Sequence, residues 1–258
     1  MNVFALKLIA LITMIIDHIG AAFPDTFGFE FRVIGRLAFP IFVFLLAEGF
    51  RHTKSHGKFL ARLFVFAIIS QPVFGWALKG TDFPNVNFLE NTNIFYTLFF
   101  GGAAITVYKK LPAIGGKIYS AVVVIAALFV FAWLAEDVFS SDYGAYGVVF
   151  IFIMYVVRCK DFYLYKNFGN GRHEATYKIL PLVTMATVCL YQFNWMFRYA
   201  FESGFSSISG MWWAMIPAKL VSVVLVAFYN GKRGYGLKWL FYVAYPLHLG
   251  VLALVLQV

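Results

Sequence analysis

The first apolar stretch of the chain, Leu8 to Phe23, contains one adjacent pair of ionisable residues, Asp17 and His18. A carboxylate at the centre of a lipid-spanning helix costs about 2.5–3.5 kcal/mol on insertion scales, so such residues usually face a polar interior and carry function. An imidazole beside it, held in one tautomer, could act as a general base near neutral pH. The pair predicts a reactive centre, and a buried polar pair that only fixes helix packing is the alternative.

The composition indicates a membrane protein. Of the 258 residues, 62% are hydrophobic and 13% are charged, whereas soluble domains have about 45–50% apolar and about 25% charged residues. The net charge of +9 follows the pattern of membrane loops rather than that of a nucleic-acid-binding surface. Cys159 and Cys189 have neither a disulfide framework nor the spacing of a metal site. No A-x-A-like cleavage site closes the first apolar run, so we expect it to remain as the first helix.

Nine apolar runs approach the length of about 17–25 residues that crosses roughly 30 Å of hydrocarbon. They lie at about 4–23, 33–50, 60–78, 92–108, 118–135, 143–158, 178–197, 212–229 and 239–257. Pro40, Pro72, Pro181, Pro217 and Pro246 fall inside these runs, where transmembrane helices tolerate kinks. We therefore expect an all-α integral membrane protein, a bundle of about nine transmembrane helices that forms a single domain over residues 1–258.

The loops between these runs alternate in charge. The loops at 51–58, 109–117, 158–178 and 232–238 hold fourteen Lys and Arg residues. The intervening loops at 24–32, 79–91, 136–142 and 198–211 hold three, Arg32, Lys79 and Arg198, together with eight Asp and Glu residues. The positive-inside rule then predicts a cytoplasmic N-terminus, basic loops in the cytoplasm and a C-terminus outside.

Depth along the predicted helices suggests which charged residues meet. Arg36, near the outer start of the second predicted helix, is at a depth that lets it form an ion pair with Asp17. Glu48 and Arg51 stand three residues apart on one helical face, which favours a local pair. Arg62, at the inner start of the third, could extend to the cytoplasmic interface or bind a phosphate.

Further polar residues lie inside the later runs. Asn93, Tyr96 and Thr97 share a helical face. Tyr245 and His248 place a second histidine near mid-membrane in the last helix, where a lone histidine is more often a core residue than a catalyst. Lys219, in the middle of the eighth helix, needs a partner from another helix.

Several segments together resemble the TraX family of conjugal-transfer proteins. They are LKLIALITMIIDHIG, RVIGRLAFPIFVFLLAEGFRHT, NTNIFYTL, YGAYGV and YPLHL. The resemblance runs from the first helix to the last and implies kinship with the wider transmembrane acyltransferases. It implies a membrane-embedded acyltransferase of the bacterial inner membrane, which would move an acetyl group from acetyl-CoA to an amine or hydroxyl, with a pilin N-terminus as one acceptor.

The resemblance also implies roles for individual residues. His18 matches the histidine late in the first helix that is the proposed catalytic residue of that superfamily, and Asp17, or another carboxylate, would orient its imidazole. The cofactor phosphates would lie among Lys54, Lys58 and Arg62, together with Arg51, although the paired-arginine motif of acyltransferase-3 proteins is not reproduced at 59–63. Depth along the predicted helices, rather than the resemblance, suggests Arg36, Asn93, Tyr96, Tyr245 and His248 for substrate and transition-state contacts, and no metal is expected.

Two other classes of function remain open. A proton-coupled transporter would also use buried Asp, His, Lys and Arg, although such folds commonly show inverted repeats, and none is detectable here. A non-enzymatic pilus assembly factor would bind pilin without chemistry and would not need His18. Within the enzymatic class the acceptor stays open between a pilin amine, a glycan and a small metabolite. The partners expected are acetyl-CoA and membrane lipid, with no nucleic acid.

Overall fold

The computed structural model describes residues 1–81, 85–110, 117–159, 178–190 and 210–256, and the regular structure within these ranges is helical. The α-helices in chain order are α1 (Val3–Ala22), α2 (Pro24–Gly35), α3 (Ala38–His52), α4 (His56–Lys79), α5 (Ile94–Lys110), α6 (Lys117–Trp133), α7 (Gly144–Arg158), α8 (Lys178–Leu190), α9 (Gly210–Ala227) and α10 (Lys238–Val255). A π-helical turn, Leu134–Val138, extends α6. The prediction of an all-helical protein is confirmed.

Each of the nine predicted apolar runs overlaps one of these helices, but one helix was missed. Residues 24–32, predicted as a loop, belong to α2. Four stretches are long and apolar enough to cross a membrane, Val3–Ala22, Pro24–His52, His56–Lys79 and Tyr119–Val138. Shorter apolar helices are Gly144–Arg158, Lys178–Leu190, Ala214–Ala227 and Trp239–Val255. The predicted topology of nine crossings stays a prediction, and Arg198 and Glu202 of its last outer loop lie outside the described residues.

Local sequence signals explain where the helices begin and end. The Asn2 side chain caps α1 by accepting a hydrogen bond from the Ala5 amide at 2.8 Å, which satisfies an amide that the first turn leaves unpaired. Pro24 occupies the first turn of α2, where its missing N–H costs nothing. Ser55 caps α4 in the same way as Asn2 caps α1, and Gly80 ends α4 in a left-handed conformation that favours glycine.

The chain divides into two compact units, with boundaries inside α3 and inside α10. The first comprises Met1–Leu45 and Lys160–Ala244. It includes the hairpin of α1 and α2, where Gly20 lies so close to Phe31 that an added Cβ would approach the Phe31 Cβ to 2.7 Å. The amide of Val3, at the start of α1, donates to the carbonyl of Lys232 at 2.9 Å. These contacts fix both ends of α1.

The second unit comprises Leu46–Cys159 and Tyr245–Val258. Its core is formed by α4, α5 and α7, and small residues allow the helices to approach one another. A Cβ added at Gly101 would lie 2.8 Å from the Ile151 side chain, and one added at Gly102 would lie 2.6 Å from Phe50. The outer face of α6 stays exposed, including Ile125 and Phe129, as expected for a helix that contacts lipid.

Candidate active site

The α1–α2 hairpin positions the predicted reactive pair. Asp17 and His18 lie in the last two turns of α1, where His18 is buried and Asp17 is partly buried. Successive residues on an α-helix point about 100° apart. The two side chains therefore leave the helix in different directions, and Asp17 points toward α2.

Two arginines from the end of α2 bind the Asp17 carboxylate. Arg32 Nη1 donates to Asp17 Oδ2 at 2.6 Å, and Arg36 Nη2 lies 3.5 Å from Asp17 Oδ1. A Cβ at Gly35, which lies between the two arginines in sequence, would overlap the Cβ and Oδ1 of Asp17. Glycine at this position is thus what allows the end of α2 to close on the carboxylate. The paired charges offset part of the cost of burying each one.

Depth along the predicted helices indicated only one of the two arginines that contact Asp17. The expected ion pair of Arg36 with Asp17 is confirmed. Arg32 was missed because its segment was assigned to a loop. The available signal was helical spacing: Arg32 and Arg36 are four residues apart, as are Phe27 and Phe31, whose rings stack with centroids 4.8 Å apart.

This geometry bears on the role expected for Asp17. Its Oδ2 accepts a hydrogen bond from Arg32, and its Oδ1 lies at ion-pair distance from Arg36 without a hydrogen-bond partner among the described residues, so both oxygens face α2. The orientation of the His18 imidazole by Asp17 stays a prediction. Lys219, for which a partner was expected from another helix, lies near Arg36, whose like charge repels it, and near Cys189. Its predicted partner stays a prediction.

A second carboxylate cluster lies in the other unit, around Glu48. Arg51 Nε donates to Glu48 Oε2 at 2.8 Å, which confirms the predicted local pair. Arg158, the last residue of α7, donates to Glu48 Oε1. Glu48 and Arg158 are both buried. The contact with Arg158 was missed, because the two residues are 110 positions apart and no sequence pattern relates them.

The residues predicted to bind cofactor phosphates lie at the turn from α3 to α4. Lys54 and Lys58 are exposed. The Arg62 guanidinium lies over the Phe59 ring at 5.4 Å from its centroid, which leaves its charge available while its carbon chain is packed. His56 interacts electrostatically with Lys109 and Lys110 at the end of α5. Those two lysines are exposed as well, and they enlarge this basic surface beyond what the sequence analysis proposed.

Asn93 precedes α5 and is fully buried. Its side-chain Nδ2 donates to the Ala67 carbonyl at 2.8 Å and to Gln71 Oε1 at 2.9 Å. Its Oδ1 accepts from the Phe95 amide at 3.0 Å. Because both amide hydrogens are engaged by α4, Asn93 joins the two helices in this arrangement and has no hydrogen left for a substrate.

The other residues predicted to contact substrate are packed among aromatic rings. The Tyr96 ring lies 5.3 Å from that of Phe139, and its buried hydroxyl has no hydrogen-bond partner among the described residues. The Tyr245 ring makes edge contacts with Phe95 at 5.1 Å and with His248 at 5.6 Å. Their predicted roles in substrate binding stay predictions. Within the described ranges, no group of three or more His, Cys, Asp or Glu residues could hold a metal ion.

The fold and these clusters define a helical membrane protein whose buried charges are concentrated around two carboxylates. Comparison with known proteins gives its family. Residues 3–256 match the family model described as TraX protein, so the chain belongs to the TraX family. It is similar to the probable fimbrial assembly protein FimC, serogroup H1, of Dichelobacter nodosus, with 27% identity over 260 residues that cover 97% of this chain and 94% of that protein. No solved structure matches the chain.

Proposed function

We propose that this protein is an acyltransferase of the bacterial cytoplasmic membrane that transfers an acetyl group from acetyl-CoA to an amine or hydroxyl. The observation that carries the proposal is the position of His18. This histidine is buried near the end of α1, in a chain of the TraX family, directly beside a carboxylate that two arginines bind. A buried imidazole inside an apolar helical unit suits a general base that takes up the proton of the acceptor.

In the proposed reaction His18 removes the proton of the acceptor amine or hydroxyl while the acceptor attacks the thioester carbonyl carbon. The tetrahedral intermediate then collapses, the carbon–sulfur bond breaks, and the proton held by His18 passes to the thiolate of coenzyme A. The products are the acetylated acceptor and the free thiol. Arg36 suits the stabilisation of the oxyanion better than Asn93 does, because both side-chain amide hydrogens of Asn93 are already engaged by α4.

The donor would be held by its phosphates. Lys54, Lys58 and Arg62, together with Arg51, provide the basic groups for this role, and Lys109 and Lys110 add two charges to the same surface. Lysine side chains bind phosphate as mobile point charges, whereas arginine binds it with a fixed fork of donors. Acceptors compatible with the chemistry are a pilin N-terminus, a glycan and a small metabolite.

The test compares His18→Ala with the wild type in nanodiscs supplied with labelled acetyl-CoA. We expect slow thioester hydrolysis or transfer by the wild type, and a loss of about 10²–10⁴-fold in the variant, which is the size of a general-base contribution. Donor binding, measured on the same samples, should be retained. Ile12→Ala is the control on the same helix, because the Ile12 side chain is 49% exposed. Wild-type protein that binds no acyl-CoA would refute the enzymatic proposal.

The Dichelobacter nodosus relative is named as a probable fimbrial assembly protein, which is compatible with a second candidate, a pilus assembly factor. Such a factor would bind pilin without catalysing a reaction. The two candidates differ in their need for His18. An assembly factor would still support pilus formation in a complementation assay when it carries His18→Ala, whereas an acetyltransferase whose product is needed for assembly would not. Retention of both assembly and protein level in that variant would favour the assembly factor.

A further inference from the structure

The loop between α9 and α10, residues 228–237, is fixed to the start of α1 by main-chain hydrogen bonds. The Val3 amide donates to the Lys232 carbonyl at 2.9 Å, and the Phe4 amide donates to the Arg233 carbonyl at 3.2 Å. These bonds satisfy two of the amides that the first turn of a helix leaves unpaired. Because they use only main-chain atoms of the loop, they hold the loop in place whatever side chains it carries.

The same loop lies where three apolar helices begin or end. Helix α1 is long and apolar enough to cross a membrane, and the apolar parts of α9 and α10, Ala214–Ala227 and Trp239–Val255, flank the loop in sequence. Since the loop is bonded to the first turn of α1, all three helix ends meet at it. In a bilayer whose hydrocarbon core is about 30 Å thick, the ends of spanning helices lie at the level of the lipid headgroups.

The side chains of this region combine positive charge with exposed aromatic rings. Lys232 and Arg233 are exposed. Tyr235 is 77% exposed, although its ring makes an edge contact with Phe4 at 5.4 Å between centroids, and Trp239 in the first turn of α10 is 54% exposed. Tyr and Trp rings are enriched at the headgroup level because they are amphipathic, and basic residues near the membrane surface attract anionic lipids. The two kinds of group therefore suit the same partner.

We propose that Lys232, Arg233 and Tyr235 bind the headgroup of an anionic phospholipid. The two cations pair with the negative charge of the headgroup, and the tyrosine ring lies among the neighbouring headgroups. Because the loop is bonded to the first turn of α1, a lipid bound there holds the start of the helix that carries Asp17 and His18 at the membrane surface. This lipid site does not depend on the proposed acetyl transfer.

The experiment identifies the lipid beside the loop by photo-cross-linking. The full chain, with benzoylphenylalanine in place of Tyr235, is placed in phosphatidylcholine nanodiscs that contain a minor fraction of phosphatidylglycerol, and mass spectrometry identifies the lipid bonded to the loop peptide. We expect the ratio of phosphatidylglycerol to phosphatidylcholine among the cross-links to exceed the ratio in the bilayer about 30-fold. That factor corresponds to about 1 kcal/mol for each of two basic residues at a membrane surface.

Two double variants and one control position test where the preference comes from. Lys232→Gln with Arg233→Gln should abolish the enrichment and leave the protein folded, because the main-chain bonds to α1 remain. Lys232→Arg with Arg233→Lys keeps both charges and should retain the enrichment. Benzoylphenylalanine in place of Phe129, which is exposed on the apolar face of α6, should cross-link the two lipids in the ratio of the bilayer.

Three results would overturn the proposal. The first is cross-linking at position 235 in the ratio of the bilayer, and the second is an enrichment that survives the loss of both cations. The third is cross-linking mainly to protein, which would mean that the loop faces another polypeptide segment. Inorganic phosphate that abolished the enrichment, where chloride at the same ionic strength did not, would assign the two cations to a soluble anion and would also refute the lipid site.

Discussion

In the part of the chain that the structure describes, two carboxylates, Glu48 and Asp17, each form ion pairs with two arginines, but their surroundings differ. Glu48 retains 3% of its side-chain exposure and its partners Arg158 and Arg51 retain 7% and 22%. Asp17 retains 15% and Arg32 retains 30%. The Glu48 cluster is thus closed and ties α3 to the far end of α7, whereas the Asp17 cluster is more open and lies next to a buried histidine.

We infer that the two clusters have different roles: the Glu48 cluster stabilises the fold, and the Asp17 cluster serves function. A closed ion pair between segments far apart in sequence contributes to a unique packing and has little room for another group. An open one leaves part of the arginine side chain exposed, as at Arg32. We therefore expect substitutions around Glu48 to act mainly on stability, and substitutions around Asp17 to act mainly on binding and turnover.

The largest expected effect is that of Glu48→Gln. Without the carboxylate, the buried Arg158 guanidinium loses its charged partner, and breaking a buried pair in this way costs about 3–5 kcal/mol. Asp17→Asn should cost less, because Arg32 is more exposed. The free energy of unfolding in detergent, followed by tryptophan fluorescence, measures both variants. If Asp17→Asn were the more destabilising, the assignment of a structural role to Glu48 alone would be wrong.

A double variant tests whether Glu48 stabilises its unit through the pairing with Arg158. Glu48→Leu combined with Arg158→Leu removes both buried charges together, and apolar replacements of a buried pair are often neutral. It should therefore be more stable than Glu48→Leu alone. No recovery in the double variant would mean that Glu48 stabilises the unit by means other than its pairing with Arg158.

A smaller effect is expected for Gly35→Ala. The added methyl group would overlap the Asp17 side chain, and inserting a methylene-sized group into a packed site typically costs about 1–3 kcal/mol. The matched control is Gly57→Ala near the start of α4, where an added Cβ meets nothing within 4 Å. That control should be neutral or slightly stabilising, since alanine favours helix by about 1 kcal/mol over glycine. Equal stability of the two variants would contradict the close approach of α2 to Asp17.

In each cluster, sequence patterns predicted one of the two arginine contacts and missed the other. The predicted contacts are Arg36 with Asp17 and Arg51 with Glu48. Hydropathy located α1, and depth along the helices paired Arg36 with Asp17, because both properties depend on residues near in sequence. The amphipathic helix α2 was missed, since its charged and small residues lowered its hydropathy below that of a membrane span, and Arg32 was missed with it. The pairing of Arg158 with Glu48 depends on how α7 packs, and no periodicity in the sequence encodes that packing.

Asn93, just before α5, and Tyr96, in its first turn, show the same limit of prediction from sequence spacing. Sequence spacing placed Asn93 and Tyr96 on one helical face but could not show what faced them. In the structure Gln71 and the Ala67 carbonyl engage the Asn93 amide, whereas the Tyr96 hydroxyl has no hydrogen-bond partner among the described residues. Residues with the same predicted role therefore differ in their capacity to bind a substrate.

The smallest effect expected within the Glu48 cluster is that of Arg51→Lys. Arg51 is the local partner, three residues from Glu48 and partly exposed, and pairs of this kind contribute about 0.3–1 kcal/mol. Lysine keeps the charge, so only part of that contribution should be lost, whereas Arg158→Lys should cost more because a buried ammonium has fewer donors to satisfy Glu48. Unfolding free energies of the two variants, measured at low and high salt, test this, since an exposed pair is screened by salt and a buried pair is screened much less. Equal costs with equal salt dependence would mean that the long-range contact is no more buried in solution than the local one, and the contrast between the closed and the open cluster would then fail.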